Sequence, residues 1–209
     1  IKPALDGQDL SGFEDPEGTK LFVEMVEAVE GSGEGVVDYL WSKPGEEEPK
    51  PKISYVKLVP ELDWIIGTGA WIEDITARMQ AEAMAQVGRM RLADGNYFWI
   101  HTAEDPPVMV MHPIKPALDG RDVSGVKDKK DKALFIAMNK AVAEQGGAAY
   151  VDYYWSKPGD DEGEYPKLSY VKVFEPWGWV IGMGVYVDDV QAAAEAQVAA
   201  LKGELLDVT

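Results

Sequence analysis

Cysteine is absent from the 209-residue chain. Disulfides, thiol nucleophiles, iron–sulfur clusters and zinc sites built on thiolates are therefore excluded, and the redox compartment stays open. Histidine is almost absent: His101 and His112 are the only two, too few for a His-rich metal site. Basic residues are scarce, 20 Lys plus Arg against 37 Asp plus Glu, giving a formal net charge of -17. A field of that sign repels phosphate backbones and anionic lipid, so no nucleic-acid partner is expected. No apolar run approaches the roughly 20 residues of a membrane span, so this chain is not expected to insert directly into a membrane. P-loop, GxGxxG, GxSxG and HExxH motifs are all missing, which leaves catalysis without support. What remains is ordinary globular composition, 46% hydrophobic and 27% charged, and not that of a disordered chain. The chain opens on Ile1 with no signal peptide, and is expected to be a mature product, an excised ectodomain or a fragment.

The chain repeats itself. IKPALDGQDLSG at Ile1 returns as IKPALDGRDVSG at Ile114, and VDYLWSKPG (37–45) returns as VDYYWSKPG (151–159). PKISYVK at Pro51 returns as PKLSYVK at Pro166, and WIIGTGAWIEDI at Trp64 as WVIGMGVYVDDV at Trp179. That spacing exceeds the 20–50 residues of solenoid repeats, so a domain has been duplicated. Residues 1–75 form a partial copy and 76–209 a complete one. The first copy lacks a lead-in helix and two strands: either the chain is cut inside it or a partner chain supplies the missing part.

Periodicity predicts the elements of the complete copy. A helix rich in Ala, Met, Gln, Glu and Arg runs from Thr76 to Ala93, capped by Asp74 and stopped by Gly95-Asn96. Tyr97–His101 and Val108–His112 read as a hairpin. Leu134–Glu144 is an amphipathic helix ended by Gly146-Gly147. Strands follow at Tyr150–Lys157, Leu168–Phe174 and Trp179–Val187, with an acidic loop over Pro158–Glu164 and a closing Ala-rich helix capped by Asp189. Consecutive strands on short links imply an antiparallel sheet, and segregated helices imply α+β. The first copy retains helix, three strands and helix.

Side chains alternate across a strand. Val151, Tyr153, Trp155 and Lys157 share one face, as do Val37, Tyr39, Trp41 and Lys43. On the next strand Leu168, Tyr170, Lys172 and Phe174 share a face, matched by Ile53, Tyr55, Lys57 and Val59. Two aromatic walls and a fixed cation suit a small organic anion. An amine held by cation–π contact is the runner-up, with the lysines arguing against it. His112 ends a strand and can donate to a carboxylate, or simply occupy the turn before Pro113. Asp15, Glu17, Asp128 and Asp131 lie in loops before helices and read as capping or solvated charge. Glycines 67, 69, 182 and 184 lie in strands and admit another backbone or helix closely.

The ordered motifs NYFWI, VMVMHPIKPALDGRDVSG, VDYYWSKPG and PKLSYVKVFEPWGWVIGMGVYVDDV resemble the single-Cache domain of the second type. That family serves as the extracytoplasmic sensor module of bacterial chemoreceptors and sensor kinases. The resemblance covers nearly all of the second copy and the later part of the first. It implies a PAS-like α+β fold, a long helix packed on a central antiparallel sheet, and a pocket for a small carboxylate such as acetate, propionate, pyruvate or lactate. It also implies a periplasmic location and transmission of occupancy through the flanking helices. Carried over as ligand contacts are Tyr97, Trp99, His112, Tyr153, Trp155, Lys157, Tyr170 and Lys172. Tyr39, Trp41, Lys43, Tyr55 and Lys57 are their counterparts in the first copy. No cofactor, metal or enzymatic activity is expected, and the exposed edge left by the missing strands predicts a homodimer. A soluble solute-binding protein, or a structural or dimerisation module, is the alternative.

Overall fold

Two periods alternate along the chain, near two in the strands and near 3.6 in the helices, and the elements follow them in a computed structural model that describes residues 2–92 and 95–207. The chain falls into two compact units, Ile1–Ala81 and Glu82–Thr209. In the first, helix α1 (Leu21–Val29) precedes strands β1 (Glu34–Ser42), β2 (Pro49–Val59) and β3 (Trp64–Trp71). These pair antiparallel in the order β1-β2-β3. Strand β3 then runs straight into helix α2 (Ile72–Val87). The helix therefore starts four residues earlier than periodicity predicts, and Asp74 lies within its first turn, not before it. It stops at Gly88; the predicted end at Ala93 lies outside the described residues.

The second unit contains β4 (Phe98–Thr102), β5 (Met109–Met111), α3 (Leu134–Glu144), β6 (Ala148–Lys157), β7 (Asp160–Phe174), β8 (Trp179–Tyr186) and α4 (Val187–Asp207). All its strand pairs are antiparallel, in the order β5-β4-β8-β7-β6. This is the expected α+β layout. One loop is corrected: most of the acidic stretch 158–164 is strand. A turn at Pro158-Gly159 suffices, and β7 begins at Asp160 opposite Lys157.

The five-stranded sheet has two unequal faces. On the inner face, Leu134, Phe135, Met138 and Val142 of α3 pack against Tyr97, Trp99, Val151, Tyr153, Val171 and Val180. On the outer face, Ala83, Met84 and Val87 of α2 cover Ile100, Met111 and Trp179. Burial of apolar side chains on both faces drives this packing, at about 25 cal/mol per Å² removed from water. Gly146 and Gly147, both at positive φ, turn the chain from α3 into β6.

Asp15 and Asp128 do more than cap. Each is 7% exposed. Asp128 accepts backbone N–H bonds from Lys130, Lys132 and Tyr154, and Asp15 from Glu17, Thr19 and Leu40. Each carboxylate thus ties its loop to the sheet, and those N–H donors hold it below the usual carboxylate range despite burial.

Candidate functional site

The cross-strand register builds the site. Tyr153 on β6 lies opposite Lys167 on β7, and Lys167 lies opposite Tyr186 on β8. Opposed residues share a face, so all three point inward. Next along, Ser169 meets Val151 and Gly184, and Val171 meets Ala149 and Gly182. The inner face of β8 is thus small where β4 delivers bulk: a Cβ at Gly182 would overlap the Trp99 indole, and one at Gly184 would overlap Ser169. What approaches these glycines closest is a side chain, not the backbone or helix that the sequence suggests.

Tyr97, Trp99, His112, Leu134, Phe135, Met138, Tyr153 and Trp155 enclose a cavity of about 10 Å³, the threshold for one ordered water. Its polar groups are arranged by hydrogen bonds. Trp155 Nε1–H donates to Tyr97 Oη at 3.0 Å, and Tyr153 Oη lies 2.8 Å from Ser169 Oγ. Tyr186 donates to the Ser156 carbonyl at 2.5 Å. Burial raises the Tyr97 hydroxyl to about 12 and pushes Tyr153 and Tyr186 up as well, so all three stay neutral hydrogen-bonding groups.

Both histidines are neutral and have defined tautomers. His112 Nδ1 accepts from the backbone N–H groups of Lys115 at 2.9 Å and Ile114 at 3.3 Å, which leaves Nε2–H as the donor. Burial, then the charges of Lys167 and Lys115, lower its pKa to about 3. His101 Nδ1 accepts from Trp99 Nε1–H at 3.3 Å, while its Nε2–H reaches Asn139 Oδ1 at 3.0 Å. Asn139 in turn donates to the carbonyls of Thr102 and Glu104. Burial lowers the His101 pKa to about 4.

Lys167 is the unusual group. It is 1% exposed, and its ammonium has no hydrogen-bond acceptor among the described residues. Three rings surround it, with centroids at 4.2 Å (Tyr97), 4.7 Å (Tyr186) and 5.6 Å (Trp99) from Nζ. Two of these rings are walls of the cavity. Burial lowers its pKa to about 7.

The residues expected from the sequence are thus divided. Tyr97, Trp99, His112, Tyr153 and Trp155 come together around the cavity. Tyr170 and Lys172 do not: both are exposed on the opposite face of the sheet, because the strand's parity is set by Lys167 and Ser169. There they border an open, mostly apolar hollow of about 380 Å³ with Phe98, Phe174 and Met183. It is the larger space, but among the described residues Lys172 alone brings a charge to its lining. Lys157 lies past an irregularity in the β6–β7 register and is spent on Asp188 at 2.7 Å and Asp189 at 2.6 Å, clamping the end of β6 to the first turn of α4. In the first unit, Lys43 does the same with Glu73 and Asp74 at 2.6 and 2.5 Å. Tyr55 and Lys57 face outward onto Glu34, at 2.6 and 3.5 Å. Tyr39 and Trp41 face that unit's core, and Tyr39 repeats the inner pairing through Ser54 Oγ at 2.8 Å. Lys52 takes the position of Lys167, between Tyr39 and Trp71.

Sequence reasoning missed Lys167, Ser169, Tyr186, His101 and Asn139. The available signal was the Gly-x-Gly alternation of β8: the face bearing glycines must be the one on which neighbouring aromatics lie.

Residues 1–191 match the Cache domain family dCache_2. The methyl-accepting chemotaxis protein McpP of Pseudomonas putida is 46% identical over 113 residues, which is 54% of this chain and 20% of that protein. The sensor histidine kinase MctS of Rhizobium johnstonii is 26% identical over 105 residues, 50% of this chain and 22% of that one. The chain therefore spans about a fifth of the length of these curated relatives. A solved Cache chemosensory domain, reported for the structural basis of its carboxylic acid recognition, is 42% identical with a TM-score of 0.50, covering 53% of this chain and 73% of that one. A solved periplasmic sensor domain of a chemotaxis protein is 40% identical with a TM-score of 0.50, covering 53% and 74%. No described helix is long and apolar enough to cross a membrane, and the chain is of the extracytoplasmic, periplasmic sensor type.

Proposed function

The chain belongs to the Cache domain family, and on that premise we propose that its second unit binds a short-chain monocarboxylate, of the acetate, propionate, pyruvate or lactate class, without converting it. One observation carries the reading: Lys167 is a buried amine whose Nζ has no hydrogen-bond acceptor among the described residues, ringed by aromatic side chains. Burying a charge is costly unless it is paired, and a carboxylate arriving beside Tyr97 and Trp99 is the missing partner. His112 Nε2–H and the tyrosine hydroxyls supply directed donors, and the apolar face of α3 receives a short alkyl tail. An amine would meet Lys167 and be repelled. The solved relative concerned with carboxylic acid recognition supports the same class.

The cavity is smaller than any of these ligands, so admission requires a side chain to move. Trp155 is the wall that can: it is only partly buried, and one hydrogen bond, to Tyr97, holds its indole N–H. Two residues on, Lys157 grips α4 through Asp188 and Asp189. Displacement of Trp155 thereby reaches the first turn of α4, and occupancy is transmitted through the flanking helices to the rest of a chemoreceptor or sensor kinase. The working form is a homodimer, supported by Trp64 and Ile66, which stand 62% and 58% exposed on the first unit's sheet. Light scattering at micromolar concentration reads that state directly.

Calorimetry and thermal shift with acetate, propionate, pyruvate and lactate test the ligand class. Saturable heat and a raised Tm are expected with at least one of them. Neither signal with any of the four contradicts the reading.

A further inference from the structure

We propose that anion capture in the second unit is coupled to uptake of one proton by Lys167, so that affinity for the carboxylate falls as the medium turns alkaline. The inference rests on the reading that a carboxylate settles beside this lysine, and concerns how that site is regulated.

Facing the ammonium are Trp99 and Tyr97 from β4 and the residue before it, Tyr153 from β6, and Tyr186 from β8. His112, at the end of β5, adds a neutral imidazole. Helix α3 contributes only Leu134, Phe135 and Met138 to the cavity. The first turn of α4 carries Asp188 and Asp189, which pair with Lys157 through Asp188 Oδ2 and Asp189 Oδ1, while Asp188 Oδ1 is buried without a hydrogen-bond partner among the described residues. No carboxylate among the described residues pairs with Lys167. Aromatic faces attract a cation but accept no full hydrogen bond from it. Burial therefore favours the neutral amine, and the lysine sheds its proton near pH 7, far below an exposed lysine.

An entering carboxylate reverses that balance. The neutral amine takes one proton from solvent and becomes an ammonium paired with the carboxylate; no covalent bond forms and nothing is oxidised. The ligand is fully ionised throughout the neutral and alkaline range and contributes no proton of its own. His112 cannot mimic the effect. Its ligand-free pKa is about 3, so uptake there at pH 8 would require the ligand to raise it far above its ordinary value. Uptake at pH 8 singles out the lysine.

Calorimetry of the 209-residue chain with propionate, in HEPES and in Tris at pH 8 and pH 6, tests this. At pH 8 the observed heats in the two buffers should differ, per propionate bound, by close to the full difference between the ionisation enthalpies of Tris and HEPES, as uptake of one proton requires, and at pH 6 the difference should nearly vanish. Affinity should weaken by about tenfold from pH 8 to pH 9. In Lys167→Gln, residual binding should be weaker and buffer-independent. Buffer-independent heat at pH 8 with clear binding overturns the proton linkage and leaves the ligand reading standing. A buffer dependence that persists in Lys167→Gln overturns the assignment to this residue. No binding at either pH removes both.

Discussion

Replacing Lys167 by methionine should make the protein more stable and unable to bind its ligand. The lysine side chain is 1% exposed and its Nζ has no acceptor among the described residues. Its pKa is lowered from 10.5 to about 7. At about 1.36 kcal/mol per pKa unit, holding the charged form in the fold costs on the order of 5 kcal/mol below pH 7. Cation–π attraction to the three rings offsets about 0.5–2 kcal/mol of that. Methionine keeps the aliphatic stem and a polarisable end that suits aromatic neighbours. A net gain of roughly 3–4.5 kcal/mol remains, or a Tm raised by about 6–18 °C at pH 6. The pH dependence supplies a control. The folded-state pKa is depressed, so the penalty is full below pH 7 and fades as pH rises toward 10.5. The advantage of Lys167→Met must therefore shrink between pH 7 and pH 10. Differential scanning fluorimetry with and without propionate reads both effects: a higher baseline Tm and no ligand-induced shift. A variant less stable than the parent at pH 6, or one whose advantage is the same at pH 10, refutes the reasoning.

Three further outcomes are expected. Burial depresses His101 and His112 to about 4 and about 3, so each contributes stability that is intact above pH 6.5 and declines as pH falls; by pH 4 the loss is about 3 kcal/mol per histidine, and denaturant titrations at pH 7 and pH 4.5 should show it. Gly182→Ala drives a methyl group into the Trp99 ring and should cost about 1–3 kcal/mol while abolishing propionate binding, whereas an unchanged Tm would mean that the ring moves freely. Lys172→Ala removes an exposed cation from the outer face and should leave propionate affinity within about twofold of the parent; a loss of tenfold or more would move the site to the outer hollow.

The element order was legible because it rests on period and punctuation. The Ala-rich helix, the Gly146-Gly147 stop and the repeated WSKPG turn each have a local physical cause. The pocket's aromatic half was legible for the same reason: Tyr153 and Trp155 share a parity with Val151, an apolar residue that must be buried. Strand β7 misled because both its parities carry a lysine. Lys167 and Lys172 are alike in sequence, and Tyr170 drew attention to the outward-facing one. Choosing between them needed the register with β8, where Ser169 meets Gly184, and that is a long-range fact. The ion pairs of Lys157 were hidden for a related reason. Nothing local says that two aspartates thirty-odd positions later will reach it. His101 was hidden because its partner Asn139 comes from α3, across the sheet face.

The central claim is that Lys167 anchors a carboxylate inside the second unit. A crystal structure of the chain grown with propionate tests it most directly. The account predicts density for the ligand among Tyr97, Trp99, His112 and Trp155, with a carboxylate oxygen within hydrogen-bonding distance, about 3 Å, of Lys167 Nζ. Propionate found instead against Lys172 on the outer face, or a saturated crystal in which Lys167 Nζ still touches only rings, would contradict it.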